Sequence, residues 1–180
     1  MSKTEISQIA EQLDALSVVE LDDVTWSVES LAAVLDADYS SQLARLYACE
    51  ILLRRNEKHF LEFIGPQRVA AIYVAALKDG VTTDLNPWAF LGLAELGPLG
   101  LRLVTCGEAA IAELVPLLQI KRPAGLYGGS EESKEGNSDS PRLCDFAAFF
   151  IAKIKHLPYR FYRNDATLRD AEINQLKKEL

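Results

Sequence analysis

Residues 140–155 read SPRLCDFAAFFIAKIK, and this run decides the fold class. Leu143, Phe146, Ala147, Phe150, Ile151 and Ile154 fall at offsets of 0, 3, 4, 7, 8 and 11. That recurrence places apolar groups along one face of a helix with 3.6 residues per turn. Ser140-Pro141 supplies the opening signal, since a proline fits the first turn of a helix, where its missing N–H is not needed.

The same periodicity extends outward through the chain. Ile6, Ile9, Leu13 and Leu16 predict a first amphipathic helix of about four turns, and Ser17 to Val24 interrupt it with three acids. Val28, Leu31, Ala32 and Leu35 mark a second helix beginning near Ser27. Ser40 or Ser41 can cap a third, whose stripe is Leu43, Leu46, Tyr47 and Ile51 and whose end carries Arg54 and Arg55, cations suited to a helix C-terminus. His59 to Ile64 reads as a short helical turn stopped by Gly65. Pro66 opens a further helix that Gly80 closes. Asn86-Pro87 repeats that punctuation and opens Trp88 to Leu96. Leu99 to Thr105 is a compact helix ended at Gly107, and Glu108 to Gln119 is another, which Pro116 should kink or restart. Leu157 to Asn164 is extended and aromatic. Thr167 with Asp170 resembles a capping box that starts a last helix bearing Ala171, Ile173, Leu176 and Leu180. Only Tyr159 and Phe161 alternate in the manner of a strand. The expectation is an all-α single domain over 1–180, with eight or nine short helices in antiparallel pairs. Gly128 to Ser140 is a polar loop of thirteen residues without one apolar side chain, too polar to offset the entropy of ordering itself by burial.

With 180 residues, 49% of them hydrophobic and 25% charged, the chain has the composition of an ordinary globular domain. By surface scaling about 70% of its unfolded area is buried, enough for a core without disulfide or metal. Met1 to Gln8 contain no apolar signal region, and no stretch approaches the ~20 apolar residues of a membrane span. Glu95 and Glu113 break the longest apolar passages. Cytoplasmic residence is the expectation, with Cys49, Cys106 and Cys144 as buried thiols rather than bridges.

Gly97 to Leu118 adds a resemblance. Gly100, Leu101, Leu103, Val104, Gly107, Ala110, Ile111, Leu114, Val115, Pro116, Leu117 and Leu118 resemble the hinge of a HEAT-like helical repeat, in which one helix ends at glycine and a small-aliphatic turn leads into the next. The resemblance implies a curved stack of helix pairs used as a binding surface. An irregular helical bundle is the alternative architecture.

The chain carries none of the common catalytic signatures. His59 and His156 are the only histidines and belong to no H-x-x-x-H spacing, so neither they nor the scattered cysteines suggest zinc. G-x-S-x-G, S-x-x-K, G-x-x-x-x-G-K and G-x-G-x-x-G are all absent. Gly128-Gly129-Ser130 is followed by Glu131 and Glu132, which would repel a phosphate. Those two acids and the pair Asp22-Asp23 lie on polar segments, without the contrasting environments that set acid against base. No cofactor and no metal is expected.

Charge distribution carries more information. Residues 1–38 hold nine acids against Lys3, while 142–163 hold Arg142, Lys153, Lys155, Arg160 and Arg163 against Asp145, within an overall charge of −7. An acidic chain repels nucleic acid in bulk. Three candidate binding segments follow. Lys153, Lys155, Tyr159, Arg160, Tyr162 and Arg163 interleave cations with aromatics, a pattern suited to an acidic protein patch or to stacked bases. Trp88, with Phe90 on the next turn, could anchor a partner. The acidic N-terminal third, including Asp22 and Asp23, suits a basic protein, as in an immunity-type inhibitor. The reading is therefore a non-enzymatic protein–protein interaction module with a basic protein as its partner. An enzyme or small-ligand binder with a pocket between helices near Trp88 and Tyr127 is the alternative.

Overall fold

A computed structural model describes residues 1–80, 88, 96–124 and 139–180. The protein is all-α: the described residues form nine α-helices and two 3₁₀ turns, with a single bridge between Pro123 and Arg142 in place of any strand. The helix expected over Trp88 to Leu96 and most of the polar loop lie outside the described residues, as do Phe90 and Tyr127. The chain divides into two compact units, Met1–Ala76 and Leu77–Leu180.

The first unit contains α1 (Lys3–Asp14), a 3₁₀ turn (Glu20–Asp23), α2 (Val28–Asp36), α3 (Gln42–Arg55), α4 (Glu57–Ile64) and most of α5 (Pro66–Asp79). Each start has a chemical cause. Ser2, Ser27 and Ser41 turn a side-chain oxygen back onto an orphan amide of the first turn, and Asn56 does the same for α4. Gly65 takes φ +88°, a region that side chains avoid, so the chain can turn sharply into Pro66. The hub is α3, against which α1, α2, α4 and the 3₁₀ turn pack. It is buried almost all round, from Ala44 through Leu46 to Leu53. Leu46 and Leu52 are fully enclosed, each contributing about 1.5–3 kcal/mol by leaving water.

The second unit contains α6 (Pro98–Thr105), α7 (Glu108–Leu114), a 3₁₀ turn (Val115–Gln119), α8 (Leu143–Lys155) and α9 (Ala166–Leu176). Here α8, the helix of the opening sequence, is the hub: α6, α7, the 3₁₀ turn and α9 all pack on it. Pro116 ends the regular helix that was expected to run to Gln119, because it lacks an amide hydrogen and crowds the preceding turn. Gly107 joins α6 to α7 at φ +59°. Gly100 has no positive φ but is pressed closely: a Cβ there would lie 2.5 Å from the Trp88 carbonyl oxygen and 3.0 Å from the Phe150 ring. The expected Thr167 cap gives way to Asp165, whose Oδ1 accepts from the amides of Thr167 and Leu168 at 3.0 and 2.9 Å. All three cysteines are buried outside any disulfide. No single described helix is long and apolar enough to cross a membrane.

Candidate functional sites

In the first unit the fold leaves most of the acidic charge uncompensated. Of the nine carboxylates in residues 1–38, Asp22 pairs with Arg54 at 3.0 Å and Asp36 with Arg68 at 2.6 Å. Among the described residues, Glu5, Glu11, Asp14, Glu20, Asp23, Glu29 and Asp38 have no cationic partner. Several are occupied by local hydrogen bonds only. Glu20 accepts from the Ser17 amide and hydroxyl at 2.7 Å each, which holds its carboxyl below the usual range. The last turn of α1 holds Asp14 and no cation, although the negative end of a helix dipole favours one.

Next to that turn lies an open cleft. Ala15, Leu16, Val24 and Trp26 give it an apolar floor, and Gln12, Asp23 and Thr25 complete its rim. One wall is fixed from α3, where Arg55 donates to the carbonyl oxygens of Trp26 and Val24 at 2.7 and 2.8 Å. The arginine predicted as a helix-end cation thus holds the cleft-forming segment in place. Asp23 stands on the cleft; Asp22, two-thirds exposed, turns to Arg54.

The aromatic and basic candidates are placed differently. Trp88 is 3% exposed and lies edge-on to Phe150, 6.3 Å between centroids, so a partner at the surface would meet almost none of the ring. Lys155 pairs with Glu108 at 3.1 Å and Arg163 with Asp139 at 3.2 Å. Lys153 lies over Phe149, and Arg160 stacks on Tyr162. The hydroxyl of Tyr159 is enclosed without a hydrogen-bond partner. Burial, followed by the nearby Asp145 charge, pushes its acidity far below that of an ordinary phenol. The strip is thus tied into its own unit by ion pairs and ring contacts.

A group that the periodicity reading passed over is the ion cluster around Asp145. This carboxylate is fully buried on α8 and accepts from Arg142 through the backbone amide (2.9 Å), Nε (3.1 Å) and Nη2 (2.9 Å). A fourth donor, Arg169 Nη1 of α9, lies at 3.1 Å. Asp170 links Arg142 at 2.8 Å to Lys121 at 2.7 Å, and the Asp139 carbonyl accepts from Arg169 at 3.2 Å. The signal was present in the sequence: an acid inside LCDFAAFF, three residues after an arginine, interrupts an apolar face.

Chemically the cluster is a clamp. The lone pairs of Asp145 are engaged by four nitrogen donors, which fix it between Arg142 and Arg169. Burial pushes the neighbouring Cys144 thiol up, away from thiolate chemistry. Among the described residues no group of His, Cys, Asp and Glu is arranged to hold a metal ion. Comparison with protein-family models, with curated proteins and with solved structures finds no match to this chain.

Proposed function

We propose that this chain is a protein-binding module that receives a basic protein on the acidic face of its first unit, with the Ala15–Trp26 cleft as the apolar centre of the contact. The observation that carries this reading is that seven carboxylates of residues 1–38 have no cationic partner among the described residues, one of them, Asp23, lining the cleft whose wall Arg55 ties to α3. Unmet surface charge of one sign costs stability through self-repulsion and speeds association with the opposite sign. The cleft adds what charge alone lacks: Trp26 and Leu16 offer apolar area to a side chain that carries its cation alongside. In this reading the basic strip of the second unit is structural, since Lys155 and Arg163 already have acidic partners. The helix–Gly107–helix geometry of 98–114 supports the HEAT-like reading of that segment within the same binding role.

The test is affinity capture from the source cells with the intact chain and two charge variants. Glu11→Gln, Asp14→Asn, Glu20→Gln and Asp23→Asn combined should abolish capture, and rising salt should weaken it in the wild type. Arg160→Glu with Arg163→Glu should leave it intact. The opposite pattern would move the contact to the second unit and overturn the proposal.

A further inference from the structure

The C-terminal helix docks on its unit through a buried charge as well as apolar side chains. α9 has eleven residues and buries three of them: Arg169, Ile173 and Leu176. α8, of thirteen residues, buries nine. One third of what α9 buries is therefore a charge, and buried ion pairs return little net stability once desolvation is counted. Two donors enclosed at this junction, Arg169 Nε and Tyr159 Oη, have no acceptor among the described residues, and each such group weakens the docked state. The connection from α8 also passes through two non-glycine residues in the left-handed region, His156 at φ +54° and Asn164 at φ +56°.

The decisive feature is how the cluster divides. If α9 leaves, Asp145 loses Arg169 but keeps all three donors of Arg142, which sits with it on the α8 side. Asp139 keeps Arg163. Arg169 and Asp170 go to water, where both are well solvated. Opening along this seam leaves no buried carboxylate without a cation, so the usual penalty for breaking a buried ion network is largely avoided.

We propose that α9 is a detachable strap, released as one unit from α8 by parting the Arg169–Asp145 and Asp170–Arg142 pairs, before the rest of the second unit unfolds. This device is independent of the binding role assigned to the first unit. Release uncovers Phe161, over which the Arg169 guanidinium lies at 4.9 Å, and frees Lys121 and Arg142 from Asp170. An aromatic ring and the Lys121 amine then become available together, while Arg142 stays on Asp145.

Amide hydrogen exchange on the full chain tests this. Residues 169–176 should exchange with one common opening, faster than α8. Arg169→Ala should speed α9 by about tenfold or more, the worth of a charged hydrogen bond, and leave α8 unchanged. Asp170→Asn, at a partly exposed position, should speed α9 alone by a smaller factor. If α8 and α9 exchange at one rate and respond together to these variants, the helix is an integral part of the core and the proposal fails. A gradient of protection rising inward from Leu176, with Arg169 as protected as α8, is ordinary fraying and overturns it equally.

Discussion

Asp23 and Asp145 are both aspartates beside apolar neighbours, yet one stands on an open cleft among other unmet acids and the other is sealed beneath two arginines. The acidic stretch over residues 1–38 of the first unit leaves its charge at the surface, where the fold has little stake in it; the carboxylate this unit does bury, Glu50 of α3, pairs with Arg54 at 2.9 Å. The second unit draws charge inward and uses it to fix where a helix starts and where another docks. The difference teaches that net charge and charged structure are separate properties: the acidic stretch has many charges of low structural consequence, the cluster few of high consequence.

The contrast can be broken most forcefully at Asp145. Asp145→Ala leaves Arg169 buried without its carboxylate and Arg142 with Asp170 alone, and the loss should be about 3–5 kcal/mol in denaturant unfolding. A loss comparable to that of a surface acid would show the cluster to be far more hydrated than its burial implies. Gly100→Ala comes next. The added methyl would meet a backbone oxygen that cannot swing aside, and overpacking of this kind costs about 1–3 kcal/mol; thermal melting reads it directly.

Acid should separate the regions without mutation. The Lys121 amine, then Arg142, holds the Asp170 carboxyl below its ordinary value of 3.8. A depressed carboxyl contributes its stabilisation above that ordinary value and loses it as pH falls through the lowered one. Titration below 3.8 should therefore loosen the α9 junction, seen as faster exchange there, and Asp170→Asn should remove that share of the response. The smallest effects belong to the first unit. Asp22→Asn breaks an exposed pair with Arg54 and should cost less than about 1 kcal/mol. Glu11→Gln with Asp23→Asn should shift stability by no more than about 0.5 kcal/mol while impairing capture of the basic partner.

Much of the architecture was legible because local rules set it. Ser27 and Ser41 are caps whose target amides lie three residues away, and Gly65-Pro66 turns the chain by backbone geometry alone. The α8 stripe needs no long-range knowledge to be read as a buried face. What escaped was chosen by partners distant in sequence. Asp170 was read as a capping residue for Thr167, but Arg142 and Lys121, 28 and 49 positions away, take both of its oxygens. Nothing in the neighbouring residues marks Arg169 for burial; Asp145, 24 positions away, does. Half of that cluster, Arg142 three residues before Asp145, was visible locally; the half contributed by α9 was not. For the candidate surface, the excess of acid in residues 1–38 was plain, whereas the cleft depends on Arg55 reaching back to Trp26.

The three enclosed thiols give the protein a built-in clock. Cys49 belongs to the first unit, and Cys106 and Cys144 to the second, each almost inaccessible to water. An alkylating reagent can reach them only when the surrounding helices part, so the order in which they are tagged, resolved by mass spectrometry, records which half of the native chain breathes first.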